Sequence, residues 1–312
     1  MAHTPVDSQK THGAAVVAAY FAVVSLMVGR IAWVDTWSLT SFCVLVAFVA
    51  TAGTDRVAQP SRRSLALGAT FFFVLSMAVA YLPDMWFAIA YRLNHAEHYL
   101  WNANALMKAL PGNDGRFLWS HRSEPISRLM RWVYITGFDM VVWIPVVRSL
   151  VAFDARKTAR YALAAHLVQF PLIIPFYTAI RVDEVWSVLG HQDLLGRGWN
   201  DEVRLDLGAN CFPSMHTSVA FAILLLGLRE KSALFRRGLA IYASAIIFST
   251  VYMEVHWLVD VVAGLALGAV SVNLVDRLLL AVDRRERRLE NPRIEVVEPA
   301  PHSSALRDIP PP

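Results

Sequence analysis

Long apolar runs dominate this sequence and restrict what it can fold into. Their lengths are roughly those needed to span a hydrocarbon core about 30 Å thick. Charged residues make up only 17% of the 312 residues and hydrophobic residues 56%, whereas a soluble domain carries about 25% charged residues. A backbone in lipid must satisfy its own hydrogen bonds, so each run is predicted to be a helix. The predicted fold is an all-α polytopic membrane bundle of about eight transmembrane helices, at residues 13–33, 37–53, 65–91, 127–150, 158–180, 214–229, 234–252 and 257–281.

Basic residues between the apolar runs predict how the bundle is oriented. The even-numbered connections and the segment after the last run contain clusters of arginine and lysine: Arg56, Arg62, Arg63, Arg156, Lys157, Arg160, Arg229, Lys231, Arg236, Arg237, Arg284, Arg285, Arg287 and Arg288. By the positive-inside rule these connections and both termini are cytoplasmic. The odd-numbered connections, 34–36, 92–126, 181–213 and 253–256, then face the extracytoplasmic side of the cell membrane.

The net charge of +4 follows from this topology. Basic segments beside an anionic inner leaflet explain it, so the partner is the bilayer and no nucleic-acid partner is expected.

Three regions follow from the distribution of polar residues. Residues 1–12 are predicted to be a polar cytoplasmic N-terminus, and no cleavable signal peptide is expected, because the run that follows is long enough to span. Residues 13–290 form the membrane-embedded domain, and residues 291–312, rich in proline and polar groups, are predicted to be a disordered cytoplasmic tail. The outer segment 92–126 has an amphipathic, aromatic character that predicts a helix lying in the membrane interface.

A first polar motif stands at the start of the sixth apolar run. Pro213 and Ser214 are a helix-start signature, because proline cannot continue an earlier helix and serine is a good N-cap. The free backbone N–H groups of a helix N-terminus favour an anion there. His216 would lie in the first turn beside that anion, where it could donate a proton to a departing oxygen.

A second polar motif opens the last apolar run. His256 and Asp260 are four residues apart, so on a helix beginning near His256 they would share one face, with about 6 Å between their Cβ atoms. The carboxylate can hold one imidazole nitrogen protonated and aim the other at a substrate. The imidazole itself could then be the nucleophile. Gly264 and Gly268 further along suit close packing against a neighbouring helix.

The two motifs together resemble those of the type 2 phosphatidic acid phosphatase superfamily of lipid phosphatases and phosphotransferases. The resemblance covers residues 208–268. It is carried by two stretches, Cys211-Phe212-Pro213-Ser214-Met215-His216 and Ser249-Thr250-x-Tyr252-x-x-x-His256-Trp257-x-x-Asp260. Within the superfamily, the pattern looks most like the inositol phosphorylceramide synthase branch and its bacterial relatives.

The resemblance implies a role for each residue of the motifs. His256 would be the nucleophile that forms a phosphohistidine, Asp260 would orient it, and His216 would protonate the leaving group. Ser214 and the adjacent backbone would bind phosphate. The implied activity needs neither a metal nor a cofactor.

Two positions depart from the superfamily pattern. Met215 replaces its glycine, and Thr250 stands where it has a phosphate-binding arginine. Both departures favour the synthase branch over plain phosphatidate phosphatases. The phosphate-binding cation is then predicted to be Arg181, with Arg197 and Arg204 as further candidates.

Less specific explanations stand beside these roles. His216 could face interfacial water, His256 with Asp260 could tie two helices together, and all three could bind a metal as two histidines and a carboxylate. Arg181 could instead be an arginine that snorkels at a helix end.

Other polar residues receive separate predictions. Asp139, inside an apolar run, either pairs with an arginine of another helix or lines the active-site cavity. His166 is predicted to pack inside the bundle. The remaining outer histidines are predicted to be solvated, and these are His95, His98, His121 and His191.

Three functions fit these observations. The first is transfer of a phospho-head group from a phospholipid to a lipid alcohol. The second is hydrolysis of a lipid phosphate or polyprenyl diphosphate by the same residues. The third is a transporter or lipid-binding scaffold whose polar groups line a pathway.

Overall fold

The computed structural model describes residues 6–95, 99–200, 203–204 and 208–290, and the described chain is predominantly helical. In chain order the elements are α1 (Val6–Val34), α2 (Leu39–Val49), α3 (Arg62–His95), β1 (Trp101–Asn102), α4 (Asn104–Ala109), α5 (Glu124–Trp132), α6 (Phe138–Val151), α7 (Ala155–Ala162), α8 (Gln169–Ala179), β2 (Ile180–Arg181), α9 (Val185–Leu189), α10 (Met215–Gly227), α11 (Ala233–Tyr252) and α12 (Leu258–Glu290). Two π-helical turns, Val133–Gly137 and Leu163–Leu167, join α5 to α6 and lie between α7 and α8.

The predicted helical bundle is confirmed, although not all predicted spans have full length. Within the described residues, six helical stretches are long and apolar enough to cross a membrane: 14–34, 62–82, 124–151, 155–179, 233–252 and 258–289. Two shorter apolar helical stretches, Leu39–Asp55 and Met215–Gly227, coincide with the other two predicted spans. Helix α1 begins at Val6, inside the predicted polar N-terminus, and the predicted tail at 291–312 lies outside the described residues.

The chain divides into two compact units. The first is Met1–Val275, which holds the residues of both motifs, and the second is Asp276–Pro312. The described part of the second unit, residues 276–290, is helical.

The prediction of one interfacial helix over 92–126 is wrong. After residue 99 this segment contains β1, the short helix α4 and a 3-10 turn at Arg116–His121. Strand β1 pairs in parallel with β2, so that Trp101 lies opposite Ile180. Residues 99–126 therefore pack against the chain that follows α8. One of their aromatic rings, that of Trp119, lies 4.9 Å from the ring of His191.

Helix α12 packs closely against α10, as its two glycines predicted. A Cβ atom added at Gly264 would lie 2.6 Å from the carbonyl oxygen of Ser214, and one at Gly268 would lie 2.5 Å from that of Ser218. Both separations are too short for a real Cβ, so only glycine allows this approach. The contact joins the helices that carry the first and second motifs.

A buried group of charges lies at the far end of α10 from the first motif. Arg148 bonds to Asp55 and also donates to Glu230 at 3.2 Å, while Lys157 bonds to Glu230 at 2.7 Å and to Asp55 at 3.2 Å. The hydroxyl of Tyr161 donates to the second oxygen of Glu230 at 2.9 Å. We call Asp55, Arg148, Lys157 and Glu230 the far-end cluster. Two cations face two carboxylates, and the cluster ties together residues from four parts of the bundle.

Candidate active site

His216 is placed by the start of α10. Ser214 is the N-cap, as predicted, and its hydroxyl accepts a hydrogen bond from the backbone N–H of Thr217 at 3.2 Å. The backbone N–H of Ser214 donates to the carbonyl of Asp260 at 3.0 Å, which fixes this helix start to α12. His216 then occupies the first helical turn, where backbone N–H groups lack intrahelical acceptors.

His256 lies in the loop before α12, not on the helix as predicted. The helix begins at Leu258, and the loop is held by the carbonyl of Thr250, which accepts from the backbone N–H groups of Val255 at 3.2 Å and His256 at 3.1 Å. The Nδ1 atom of His256 lies 3.2 Å from the carbonyl oxygen of Cys211. Because a carbonyl can only accept, this hydrogen bond requires the proton on Nδ1, so that in the neutral imidazole Nε2 keeps a free lone pair.

Asp260 lies beside His256 but serves first as a helix cap. Its Oδ2 accepts from the backbone N–H of Trp257 at 2.9 Å and is 3.6 Å from Nδ1 of His256, a distance for charge attraction rather than a direct hydrogen bond. Its Oδ1 is buried and has no hydrogen-bond partner within the described residues. The carboxylate is therefore placed to stabilise positive charge on the imidazole of His256.

The two histidines face one cavity of about 490 Å³. Their ring centroids are 5.8 Å apart. The polar side chains of the cavity wall are Tyr134, Asp139, Tyr177, Glu184, Arg197, Asn210, Cys211, His216 and His256, and the apolar ones are Ile135, Phe138, Leu195, Trp199, Met215 and Val255. A group of phosphate size can contact both imidazoles at once across this separation.

Aromatic rings hold the imidazole of His216. The ring of Tyr134 stacks on it at 4.2 Å between centroids, and that of Phe138 lies 4.0 Å away. The hydroxyl of Tyr134 is 3.4 Å from Nδ1 of His216. Sequence patterns did not indicate either aromatic residue, because both belong to an ordinary apolar run.

The cation at the cavity is Arg197 rather than Arg181. Among the described residues, neither Arg181 nor Ser214 lines the cavity. Arg181 bonds to Asp183 at 3.1 Å, outside the cavity wall. Arg197 reaches the cavity while its guanidinium pairs with Glu184 and Asp193.

The contacts of Arg197 fix its loop. Its guanidinium lies 3.7 Å from the ring centroid of Trp199, and its Nε donates to Asp193 at 2.9 Å. Burial raises the pKa of Asp193, but the hydrogen bonds from Arg197 outweigh burial and leave the pKa below its ordinary value. The cation is thus held in place by carboxylates that also neutralise it.

A second group of charges supports the loop of His256. The carboxylate of Glu254 is buried, pairs with Arg122, and accepts from Nδ1 of His191 at 2.6 Å. Arg122 also donates to the carbonyl of Tyr252 at 2.8 Å. We call Arg122, His191 and Glu254 the site-end cluster. The prediction that His191 is merely solvated is wrong, because the folded loops carry it to a carboxylate two residues from His256.

The start of α12 receives a cap from far away in the chain. Asn113 accepts from the backbone N–H groups of Leu258 at 2.8 Å and Val259 at 2.9 Å, through its carbonyl and its side-chain oxygen respectively. The side-chain amide of Asn113 donates in turn to the carbonyl of Met107 at 2.9 Å. A cap supplied from another segment leaves no local sequence signal.

The remaining predictions concern single polar residues. Asp139 lines the cavity, which decides between the two explanations offered for it. His166 is buried, and neither ring nitrogen has a hydrogen-bond partner within the described residues, in agreement with packing inside the bundle. His121 is exposed, and His98 lies outside the described residues.

Cys211, His256 and Asp260 form a group that could in principle hold a metal, since their ligand atoms lie within 4.8 Å of one another. Metal binding needs a thiolate, and the Cys211 thiol donates to the carbonyls of Val255 at 3.5 Å and Gly208 at 3.6 Å. Burial raises the pKa of this thiol well above its usual range. The donor set therefore fits a metal poorly.

A comparison with known protein families gives a match over the part of the chain that carries the two histidines. No curated protein and no solved structure gives a match to the chain. Residues 175–282 match the model of the PAP2 superfamily, the range that contains both motifs and Arg197. The match confirms, at the level of the superfamily, the resemblance that the motifs predicted.

Proposed function

We propose that this protein is a membrane enzyme that transfers a phospho-head group between lipids through a phosphohistidine on His256. The observation that carries the proposal is the orientation of His256. Its Nδ1 is engaged by the carbonyl of Cys211 while the ring lines the cavity that it shares with His216. An imidazole held in this way presents an unprotonated Nε2 as a nucleophile.

The first step forms the phosphohistidine. Nε2 of His256 attacks phosphorus, the bond from phosphorus to the leaving oxygen breaks, and protonated His216 gives its proton to that oxygen. The imidazole of His256 then carries positive charge. Asp260, buried and 3.6 Å from Nδ1, offsets this charge, so the intermediate satisfies a carboxylate that is under-paired at rest.

The second step resolves the intermediate. A hydroxyl oxygen attacks phosphorus, the nitrogen–phosphorus bond breaks, and the hydroxyl proton passes to His216, which is now neutral. A lipid alcohol as acceptor makes the enzyme a transferase of the inositol phosphorylceramide synthase type. Water as acceptor makes it a lipid phosphate or polyprenyl diphosphate phosphatase.

Arg197 is the phosphate-binding cation in this proposal, in place of Arg181. Among the described residues it is the arginine that lines the cavity wall, and its guanidinium is already fixed by Glu184 and Asp193. A fixed, planar donor set is suited to phosphate oxygens. Because the chain supplies a nucleophile, an acid and a cation, the proposed reaction uses no metal.

Exposed apolar side chains of the cavity wall support a lipid substrate. Ile135 is 45% exposed and stands in the stretch 124–151, which is long and apolar enough to cross a membrane. A substrate tail can therefore lie along the helices while the phosphate reaches the histidines. The positive-inside rule predicts that this end of the bundle faces the extracytoplasmic side.

The test is to trap the intermediate. Purified protein is incubated with phospholipids radiolabelled at phosphorus, quenched in alkali, which preserves phosphohistidine, and examined for labelled protein. Wild-type protein is expected to be labelled and H256A to be unlabelled, whereas H166A, which changes a histidine outside the cavity wall, should be labelled like the wild type. Labelling of H256A would refute the nucleophile.

Two further measurements separate the related functions. Transfer to a lipid alcohol is followed beside release of free phosphate. Phosphate release without any transfer product would reject the transferase in favour of the phosphatase, and loss of activity with a chelator would reject the metal-free reaction. Absence of turnover and of labelling with every lipid, in folded protein, would favour the transporter or scaffold.

A further inference from the structure

Asp139 is an acidic side chain on the cavity wall. It lies in the first turn of α6, directly after Phe138, whose ring is 4.0 Å from that of His216. It is exposed, and it forms no hydrogen bond or ion pair with any other described residue.

The described cavity wall has more carboxylates than guanidinium groups. Within the described residues the wall carries one arginine, Arg197, and two carboxylates, Asp139 and Glu184. Glu184 is already bonded to Arg197 through both of its oxygens. Asp139 is therefore the carboxylate of the wall that has no guanidinium partner among the described residues, and it lines the space that an incoming group enters.

An uncompensated carboxylate selects among phosphate esters. It repels a phosphomonoester, which carries nearly two negative charges, more strongly than a phosphodiester, which carries one. It also favours hydrogen-bond donors, because a carboxylate without a partner gains from charge-assisted hydrogen bonds. A diester whose head group ends in hydroxyl or ammonium groups supplies those donors. It also carries about one negative charge fewer than a monoester.

We propose that Asp139 is a specificity-determining residue that selects phosphodiester lipids with hydrogen-bond donors on the head group over phosphomonoesters. The inference rests on the proposed function, since it concerns the substrate of the same site. The donor can belong to the transferred head group or to the hydroxyl of the acceptor lipid. In both cases Asp139 accepts a hydrogen bond beside His216, where the exchanged oxygen must lie.

The test compares substrates rather than total activity. Wild-type protein, D139N and the control E124Q are assayed for kcat/KM with phosphatidate, phosphatidylmethanol, phosphatidylinositol and phosphatidylethanolamine in the same detergent. Glu124 is an exposed acid at the start of α5 that pairs with Arg128 and lies outside the cavity wall. Phosphatidylmethanol is a diester without donors, so it separates charge from hydrogen bonding.

Removal of the charge should change the ratios. In D139N the ratio of phosphatidate to phosphatidylinositol turnover is expected to rise about tenfold, and the preference for phosphatidylinositol over phosphatidylmethanol to fall about tenfold. E124Q should keep wild-type ratios. Equal loss with every lipid, or no change in any ratio, would overturn the role of Asp139.

Two further measurements identify the group that Asp139 contacts and test the proposed function separately. A change in phosphohistidine formation without an acceptor assigns Asp139 to the transferred head group, whereas a change only in transfer to an added lipid alcohol assigns it to the acceptor. Labelling of D139N that disappears in D139N/H256A shows that the proposed function stands whatever the ratios do. Absence of labelling in wild-type protein with all four lipids would overturn the proposed function, and the role of Asp139 with it.

Discussion

The site-end cluster and the far-end cluster are built from the same kinds of groups but do different work. In the far-end cluster, Arg148 and Lys157 share Asp55 and Glu230, and none of the four residues lines the cavity of the histidines. In the site-end cluster, one carboxylate, Glu254, takes up Arg122 and His191, two residues before the proposed nucleophile. The far-end cluster pairs its cations and carboxylates with one another inside the bundle, whereas the site-end cluster holds the loop of His256.

The difference teaches that location decides what a buried ion pair contributes. Replacing one partner of a buried pair leaves an uncompensated charge wherever it lies. At the far end that cost appears as lost stability of the whole bundle. At the site end it also appears as a displaced imidazole, which lowers the rate while substrate binding is kept. The two ends can therefore be told apart by measuring stability and kinetics on the same variants.

The largest expected effect is from Arg148→Met. The change leaves Asp55 and Glu230 with one cation, Lys157, and should lower the free energy of unfolding by about 3–5 kcal/mol. Thermal unfolding in detergent measures the loss. The double variant R148M/D55N, which removes one of the stranded charges, should recover part of the stability, and an unchanged unfolding temperature in R148M would contradict the role given to this cluster.

Gly264→Ala tests the contact that joins the two motifs. The new methyl group would meet the carbonyl of Ser214 at 2.6 Å, so α12 must move away from α10. We expect a loss of about 1–3 kcal/mol in stability and a larger fractional loss of kcat, because His216 and His256 separate. Gly29→Ala is the matched control, since a Cβ at Gly29 has no atom within 4 Å. Equal behaviour of the two variants would show that the close approach is unimportant.

Glu254→Gln should separate kinetics from stability. The amide keeps the shape of the side chain but weakens the bonds to Arg122 and His191, so the loop of His256 loses its anchor. We expect kcat to fall about tenfold with KM nearly unchanged, the pattern for an interaction used in the transition state. Glu124→Gln, an exposed acid with a surface partner, should change neither constant. A rise in KM alone would indicate a role in binding instead.

The smallest expected effect is an acid-induced loosening of the Arg197 loop. The pKa of Asp193 is lowered in the folded protein, so its ionised form stabilises the fold above the unfolded-state pKa of about 3.9. This contribution is lost as the pH falls through the lower, folded-state pKa. The fluorescence of Trp199, which lies against Arg197, should report the change in acid in wild-type protein. In D193N the loop should already be loosened at neutral pH, and identical titrations would contradict the assignment.

Sequence patterns predicted the parts of the site that depend on local structure. Ser214 caps α10 as expected, and His216 follows in the first turn because capping and spacing are properties of a short segment. The shared helical face of His256 and Asp260 was wrong, because Asn113 and Asp260 cap α12 and thereby start it two residues later than His256. His256 and Asp260 are nevertheless close, because the Asp260 side chain turns back to accept from the backbone N–H of Trp257 in the preceding loop.

The cation and the aromatic wall depended on tertiary structure. Arg181 and Arg197 look equivalent in the sequence, and only the folded loop brings Arg197 to the cavity through Glu184 and Asp193. Tyr134 belongs to a run whose apolar residues all fit a membrane helix, so no local pattern marks the ring that stacks on His216. The structure of segment 92–126 also depends on tertiary contacts, because its strand β1 pairs with β2 at the end of α8.

The cap that Asn113 places on α12 has a consequence for the biosynthesis of the protein. The side-chain oxygen of Asn113 and the backbone N–H that it accepts from are 146 positions apart in the chain. At about 5–20 residues per second, Asn113 is synthesised about 7–29 s before its partner exists. The loop of His256 can take its final conformation only once the last helix has been made. A nascent chain therefore holds no assembled phosphotransfer site, and a copy arrested before α12 would stay inert towards the lipids around it.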